Sequence, residues 1–287
     1  MAITTHTSGL VFSSEEASEI LTKAQQGSFV MQLGREVALP GSGIDYQVVT
    51  DGNASFVDEG ACKPEVEPKL DKKTMVPHKI AVIIAVSDEL MEDRPALINH
   101  LTSRLPEQFA RGIDTEVCKA GKLANFGYLG DAEAVSVADM YEGLVTAEYN
   151  IGKEQYQLDN LVFSAKAKKQ LRDAKDNTGR PIFDNWNLQD GKIASVALSY
   201  PITFNEHVYS QGEGEGAKEV LGLAGDFSRL LYGIRDGLTI NFSKEASIKT
   251  SSGTTINCFQ ENMTAIRAEM RIGTLVQDIK AFNRLTA

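Results

Sequence analysis

The chain has 287 residues, 42% of them hydrophobic and 24% charged, with a formal net charge of -10 and a pI near 5.0. That balance excludes a disordered chain and suits one large domain or two modest ones, while the acidity leaves no electrostatic footprint for gripping phosphates. No apolar run reaches membrane-spanning length and the start lacks the basic-then-apolar pattern of a signal peptide, so a cytoplasmic site of synthesis is expected. Cys62, Cys118 and Cys258 are odd in number and far apart. They read as three reduced thiols, not as a disulfide framework or a Cys-x-x-Cys metal site.

Residues 1–12 are small and polar. Ser13 with Glu16 forms a capping box, followed by a narrow apolar stripe of Ala17, Ile20, Leu21 and Ala24 that stops at Gly27. A helix this short is marginal alone, so it must dock on its own subunit or a neighbour. Residues 29–39 and 44–50 read as strands around the turn Pro40-Gly41-Ser42-Gly43. Between 58 and 73 the chain carries acids, lysines, Pro64 and Pro68, with only Val66 and Leu70 to bury. This is the pattern of a projecting hairpin, and a lone two-stranded ribbon needs support, here from another chain.

Residues 79–87 are almost all apolar and many are β-branched, which predicts a strand covered on both faces. Asp93 and Pro95 then open a long helix with Leu97, Ile98, Leu101, Leu105, Phe109, Ile113 and Val117 at helical spacing. Pro106 lies inside it and predicts a kink or break near 102–105. A glycine-rich connection over 121–135 leads to a helix opened by Ser136 and Asp139 and carrying Met140, Leu144 and Val145. A short strand at 161–164, a basic helix capped by Ser164, a turn at 177–181 and a strand pair within 193–204 follow. That alternation predicts a mixed α/β unit. Residues 212–216, GEGEG, read as an exposed tip without the Lys or Ser/Thr of a phosphate cradle. After a Gly-Asp-Phe-Ser turn, Leu231, Ile234, Leu238, Ile240 and Phe242 line a strand; 262–273 alternates as another, and 276–285 is expected to close the chain as a helix.

The run FVDEG, KPEVEPKLDKKTMVPHKIAVIIAVSDELMED resembles the stretch that tailed-bacteriophage major capsid proteins carry across their extended loop, the following strand and the start of the spine helix. The GDFS segment and the late arginine-bearing strand are similar to the same family, so the resemblance runs from about residue 13 to the end. It implies an α+β capsid fold, shared with encapsulins and the herpesvirus capsid floor. Its implied parts are an N-terminal arm at 1–35, a peripheral domain with the spine helix at 36–53 and 79–125, and an extended loop at 54–78. An axial α/β domain at 126–238 and return strands with the C-terminal segment at 239–287 complete it.

The implied function is a major head protein that self-assembles into pentamers and hexamers of an icosahedral shell around the double-stranded DNA of a tailed phage. The alternative is an encapsulin-type nanocompartment. A mildly acidic wall suits a shell that encloses DNA without binding it sequence-specifically. The implied partners are further copies of the chain, a separate scaffolding protein, a portal and, optionally, a decoration protein, with no membrane and no cofactor. The implied location is the virion capsid, assembled in the host bacterial cytoplasm.

Subunit contacts are expected at Phe56, Val57, Val66, Leu70 and Met75 in the loop and at Ile20 and Leu21 in the arm. Glu59, Lys63, Glu65, Glu67, Lys72 and Lys73 are expected to set register and partner choice more than raw affinity. Some members of the family lock their shells with a lysine–asparagine isopeptide bond. Lys69, Lys72 and Lys73 with Asn241, Asn257 or Asn262 supply the residue types, but no spacing selects a pair. His6, His78, His100 and His207 are scattered, and the acidic groups Asp58-Glu59 and Glu89, Glu92 and Asp93 suit a solvated loop and a first helical turn. No convergent catalytic set is present, so an enzyme is not expected.

Overall fold

The computed structural model describes residues 14–50, 56–57, 69–89, 94–121, 123–175, 178–179, 186–189, 192–211, 218–250 and 253–287. Five α-helices lie in these stretches: α1 (Ser14–Gly27), α2 (Phe29–Leu33), α3 (Arg94–Cys118), α4 (Met140–Lys153) and α5 (Ala165–Asp173). The strands sort into two main sheets. In one, β1 (Arg35–Glu36), β11 (Leu230–Ser243), β14 (Met263–Val276) and β4 (His78–Ser87) lie side by side. In the other, the order is β5 (Glu133–Ser136), β15 (Phe282–Thr286), β10 (Val220–Gly225), β6 (Asn160–Phe163), β9 (Tyr200–Phe204), β8 (Lys192–Ala197) and β7 (Trp186–Gln189). Two small antiparallel ribbons remain: β2 (Ile44–Thr50) with β3 (Lys69–Met75), and β12 (Ser247–Lys249) with β13 (Thr255–Asn257).

The main core lies where α1 and α3 cover the four-stranded sheet. Ile20 and Ala24 of α1 meet Leu105, Phe109, Ile113 and Val117 of α3 and Ile266, Met270 and Ile272 of β14. A second core lies under α4 and α5, where Leu144, Ala147, Ile151, Ala167 and Leu171 cover Leu161, Phe163 and Leu285. Strand β6 feeds both: Val162 points into the first core, Leu161 and Phe163 into the second. It is a strand covered on both faces, and it welds the two layers together.

Four expectations change on meeting the structure. Residues 29–33 are helical, not extended, because Ser28 caps them: its hydroxyl accepts from the Met31 amide at 3.3 Å. A cap and a buried acceptor satisfy the free N–H groups there, outweighing the β preference of Phe29 and Val30. Helix α3 runs unbroken through Pro106. The burial of Leu105, Phe109, Ala110 and Ile113 offsets the roughly 3 kcal/mol that an interior proline costs a helix.

Strand β4 is an edge strand covered on one face only. Val86 is buried and Ile80, Val82 and Ile84 face the main core, whereas Ala81 is exposed and Ile83 is 52% exposed. An all-apolar run reads as two-sided, but only the even positions find a covering layer. The end of the chain is not a helix: a single 3-10 turn at Ile279–Ala281, capped by Asp278, leads into β15 between β5 and β10. The α/β sheet therefore takes 282–286 from the expected return segment, while 230–238 joins the long sheet.

Other local readings hold. Asp139 caps α4 by accepting from Tyr141 N at 2.9 Å and Glu142 N at 3.2 Å. Ser164 caps α5, which ends at Asp173. The Pro40–Gly43 turn closes through Gly43 N to Pro40 O at 3.0 Å, with Gly43 at φ +85°, a conformation that glycine adopts without strain. The GEGEG stretch lies outside the described residues.

Candidate assembly surfaces

The β2–β3 hairpin is built from its base outward. Its register runs from Ile44 opposite Met75 to Thr50 opposite Lys69, so seven paired residues carry the chain outward by roughly 20 Å at ~3.3 Å per residue. Met75 is fully buried among Leu39, Leu231 and Leu275. Lys73 Nζ donates to the carbonyls of Val276 at 3.3 Å and Gln277 at 2.8 Å. Lys72 Nζ pairs with Asp45 at 2.9 Å across the ribbon, and the Thr74 hydroxyl donates to the same carboxylate at 2.7 Å. The hairpin is thus pinned at its root to its own chain.

These hydrogen bonds, Lys72 first and Thr74 next, hold the Asp45 carboxyl below its ordinary value of 3.8. A depressed carboxylate contributes to the folded state above its unfolded pKa, and the contribution is lost as pH falls through the folded one. In a carbon-detected NMR titration Asp45 should therefore have its midpoint below 3.8, and Lys72→Ala should move that midpoint upward. An unmoved midpoint would mean the pair does not persist in solution.

Several residues expected at subunit contacts are placed otherwise. Ile20 is fully buried in the main core and Leu21 packs, half-buried, against the same core. The arm helix therefore docks on its own spine helix because its thin stripe matches the α3 face. Met75 is likewise a core residue of its own subunit, and Lys72 and Lys73 already hold partners within the chain. Leu70 lies in β3 opposite Val49. Glu59, Lys63, Glu65, Val66 and Glu67 lie outside the described residues. Phe56 is fully exposed and Val57 is 40% exposed in the single subunit.

Sequence reasoning missed further exposed apolar groups. Tyr141, Val145 and Tyr149, four residues apart, form an outward stripe on α4, beside the inward set Met140, Leu144, Ala147 and Ile151. The four-residue spacing was visible, but a second stripe is hidden by the first. A groove of about 550 Å³ also runs between α3 and β4, with Ile80, Ile113, Phe126 and Ile272 in its lining.

A buried polar junction was missed too. Asp114 of α3 is fully buried and accepts from the Ser28 hydroxyl, from the amides of Phe29 at 3.2 Å and Val30 at 3.4 Å, and from Asn205 Nδ2 at 3.2 Å. His207 Nδ1 lies 3.0 Å away. One carboxylate thus joins the N-terminal segment, the spine helix and the loop after β9. Its donors lie 84 to 93 residues away in sequence, beyond the reach of any local signal. One turn on, burial and the nearby Asp114 charge push the Cys118 thiol up, which disfavours its thiolate. Among the described residues, no group of three or more His, Cys, Asp or Glu could hold a metal, and no helix is long and apolar enough to cross a membrane.

The β2–β3 ribbon is thus rooted in its own chain, and Phe56 is fully exposed. The phage capsid family model matches residues 9–287. The chain belongs to the phage capsid family. Over 95% of its length it is 27% identical to the probable major capsid protein gp17 of Mycobacterium phage D29, spanning 88% of that protein. A solved structure from Mycobacterium phage Ogopogo superposes with a TM-score of 0.72 at 16% identity, covering 91% of this chain and 92% of that one. One from Mycobacterium phage Bobi gives 0.69 at 22% identity, covering 91% and 90%.

The capsid fold of helices and strands is therefore the one the sequence resemblance implied. The chain is a major capsid protein of tailed phages, a structural component whose assembly into a shell implies self-association.

Proposed function

We propose that this capsid protein forms the pentamers and hexamers of an icosahedral head around double-stranded DNA, and that the β2–β3 hairpin is the contact tying one copy to the next. The single observation that carries the hairpin's role is Phe56. A fully exposed phenylalanine lies six residues along the chain from Thr50, the outer end of a ribbon whose root is locked by Met75 and Lys73. Burying such a side chain is worth about 1.5–3 kcal/mol, and a second subunit is the surface available in a shell. Tip and receiving surface are different patches, so the contact is heterologous and propagates around closed rings.

The net charge of -10 fits a wall that encloses DNA without adhering to it. A separate scaffolding protein, a portal and an optional decoration protein complete the reading, with assembly in the host cytoplasm and residence in the virion. The residues that carry the contact are Phe56 and Val57, with Val66, Leu70, Glu59 and Lys63 beside them in the chain.

The direct test is Phe56→Asp in the full chain. Its thermal midpoint should stay within about 1–2 °C of the parent, because an exposed side chain contributes little to folding. Its yield of capsomers and shells by sedimentation velocity should fall at least tenfold. Normal shells from this variant would remove the hairpin from the assembly contact.

A further inference from the structure

We propose that helix α5 carries a contact site for the phosphate backbone of duplex DNA; the proposal rests on the reading of the protein as a shell around DNA. Residues 165–175, AKAKKQLRDAK, hold Lys166, Lys168, Lys169, Arg172 and Lys175 against a single acid, Asp173, in a chain whose net charge is -10. Helix α5 buries Ala167 and Leu171 in the second core. Its outward side is left to Lys168, Lys169 and Arg172, which share one face at helical spacing. Lys175 follows one residue past the C-cap Ala174. Lys169, Arg172 and Lys175 are exposed.

The helix itself does not call for these charges. Cations in a last turn complement the helix dipole, which accounts for Arg172 and Lys175. Lys166 and Lys168 stand in the first turn, which holds no acid and where the dipole opposes them. Lys166 is offset by Glu219. The Lys168 ammonium lies 4.6 Å from the centre of the Phe204 ring, and that of Lys166 lies 5.9 Å from the Tyr209 ring, so two of the cations are steadied by aromatic faces. Lys169 and Lys175 make no ion pair among the described residues.

A duplex matches such a stripe. It presents about one negative charge per 1.7 Å of its axis, so the roughly 6 Å from Lys168 to Arg172 faces about three or four phosphate charges. The acids elsewhere in the chain do not cancel the cluster, because screening confines their effect to about 8 Å at physiological salt. The wall therefore repels DNA on average while α5 gives a weak foothold. Lysines dominate the stripe and meet phosphates as point charges without reading base edges, so the contact is independent of sequence. The competing occupant is the acidic stretch 212–216 of another copy, but its two acids, Glu213 and Glu215, leave most of the stripe unmatched.

The test measures binding of a duplex of about 30 base pairs and arbitrary sequence to the full chain before assembly, by fluorescence anisotropy over a series of salt concentrations. Affinity should fall with salt, with a slope of log K against log salt of about -3 to -4 for roughly four phosphate contacts. Lys169→Gln combined with Lys175→Gln should keep the parent's thermal midpoint and its shell yield in sedimentation velocity. The same variant should lose at least tenfold in affinity at about 50 mM salt and flatten the slope by about 2. No binding by the parent at that salt, or an unchanged slope in the variant, overturns the assignment and leaves the shell reading standing. Loss of shells from the variant alone would give α5 to a neighbouring copy and also overturn it. A parent chain that forms neither capsomers nor shells, with scaffolding protein added, would bring down the shell reading itself.

Discussion

Replacing Asp114 by alanine is expected to lower folding stability by about 3 kcal/mol or more, because a buried acceptor shared by several donors is removed. Three backbone-linked donors, the Ser28 hydroxyl and the amides of Phe29 and Val30, would lose their acceptor, as would Asn205. His207 would lose its carboxylate. Each orphaned buried donor costs on the order of 1–3 kcal/mol, and the losses overlap because the groups act as one network. Asp114→Asn keeps an acceptor but turns an amide toward the donors, so its loss should be intermediate. Urea unfolding followed by circular dichroism measures both. A loss below about 1 kcal/mol for the alanine variant would mean that water or a neighbour satisfies these groups and that the junction is not what holds the arm helix to the spine.

Phe282→Ala is expected to cost about 3–5 kcal/mol, as for other fully buried aromatics. Phe282 is 1% exposed and meets Phe227 edge to face at 5.5 Å between ring centroids. It stands at the start of β15, the strand that slots between β5 and β10, so the cavity would open where the C-terminal strand is seated. For a chain of this size the thermal midpoint should fall by roughly 10 °C. Phe282→Leu, which retains most of the volume, should lose less than half as much. Equal losses for the two would point to the ring's edge-to-face contact, and not to filled volume, as the source.

What was legible in the sequence was local. The caps at Asp139 and Ser164, the Pro40–Gly43 turn, the long helix through Ile113 and the strand at 263–276 all carry their signal within a few residues. The family resemblance carried the fold, since the chain order of loop, strand and spine helix is itself a pattern. The misplacements share a cause in long-range partners. Ile20 and Met75 are apolar residues in otherwise polar stretches, which suggested contacts with another subunit. Their partners, α3 for Ile20 and Leu231 and Leu275 for Met75, lie far along the same chain. Strand β15 was read as a helix because apolar spacing over ten residues does not distinguish the two when the decisive neighbours are β5 and β10. The groove between α3 and β4 is a product of tertiary packing alone.

The most direct measurement is sedimentation velocity, with negative-stain imaging, of the full chain beside one whose residues 52–67 are replaced by Asn-Gly. The replacement keeps the β2–β3 pairing and its root, so both proteins should unfold at similar temperatures. The account predicts capsomers or closed shells from the full chain, with scaffolding protein added where the chain needs it, and folded monomer from the shortened one. Regular shells from the shortened chain would contradict the claim that the projecting hairpin joins one subunit to the next.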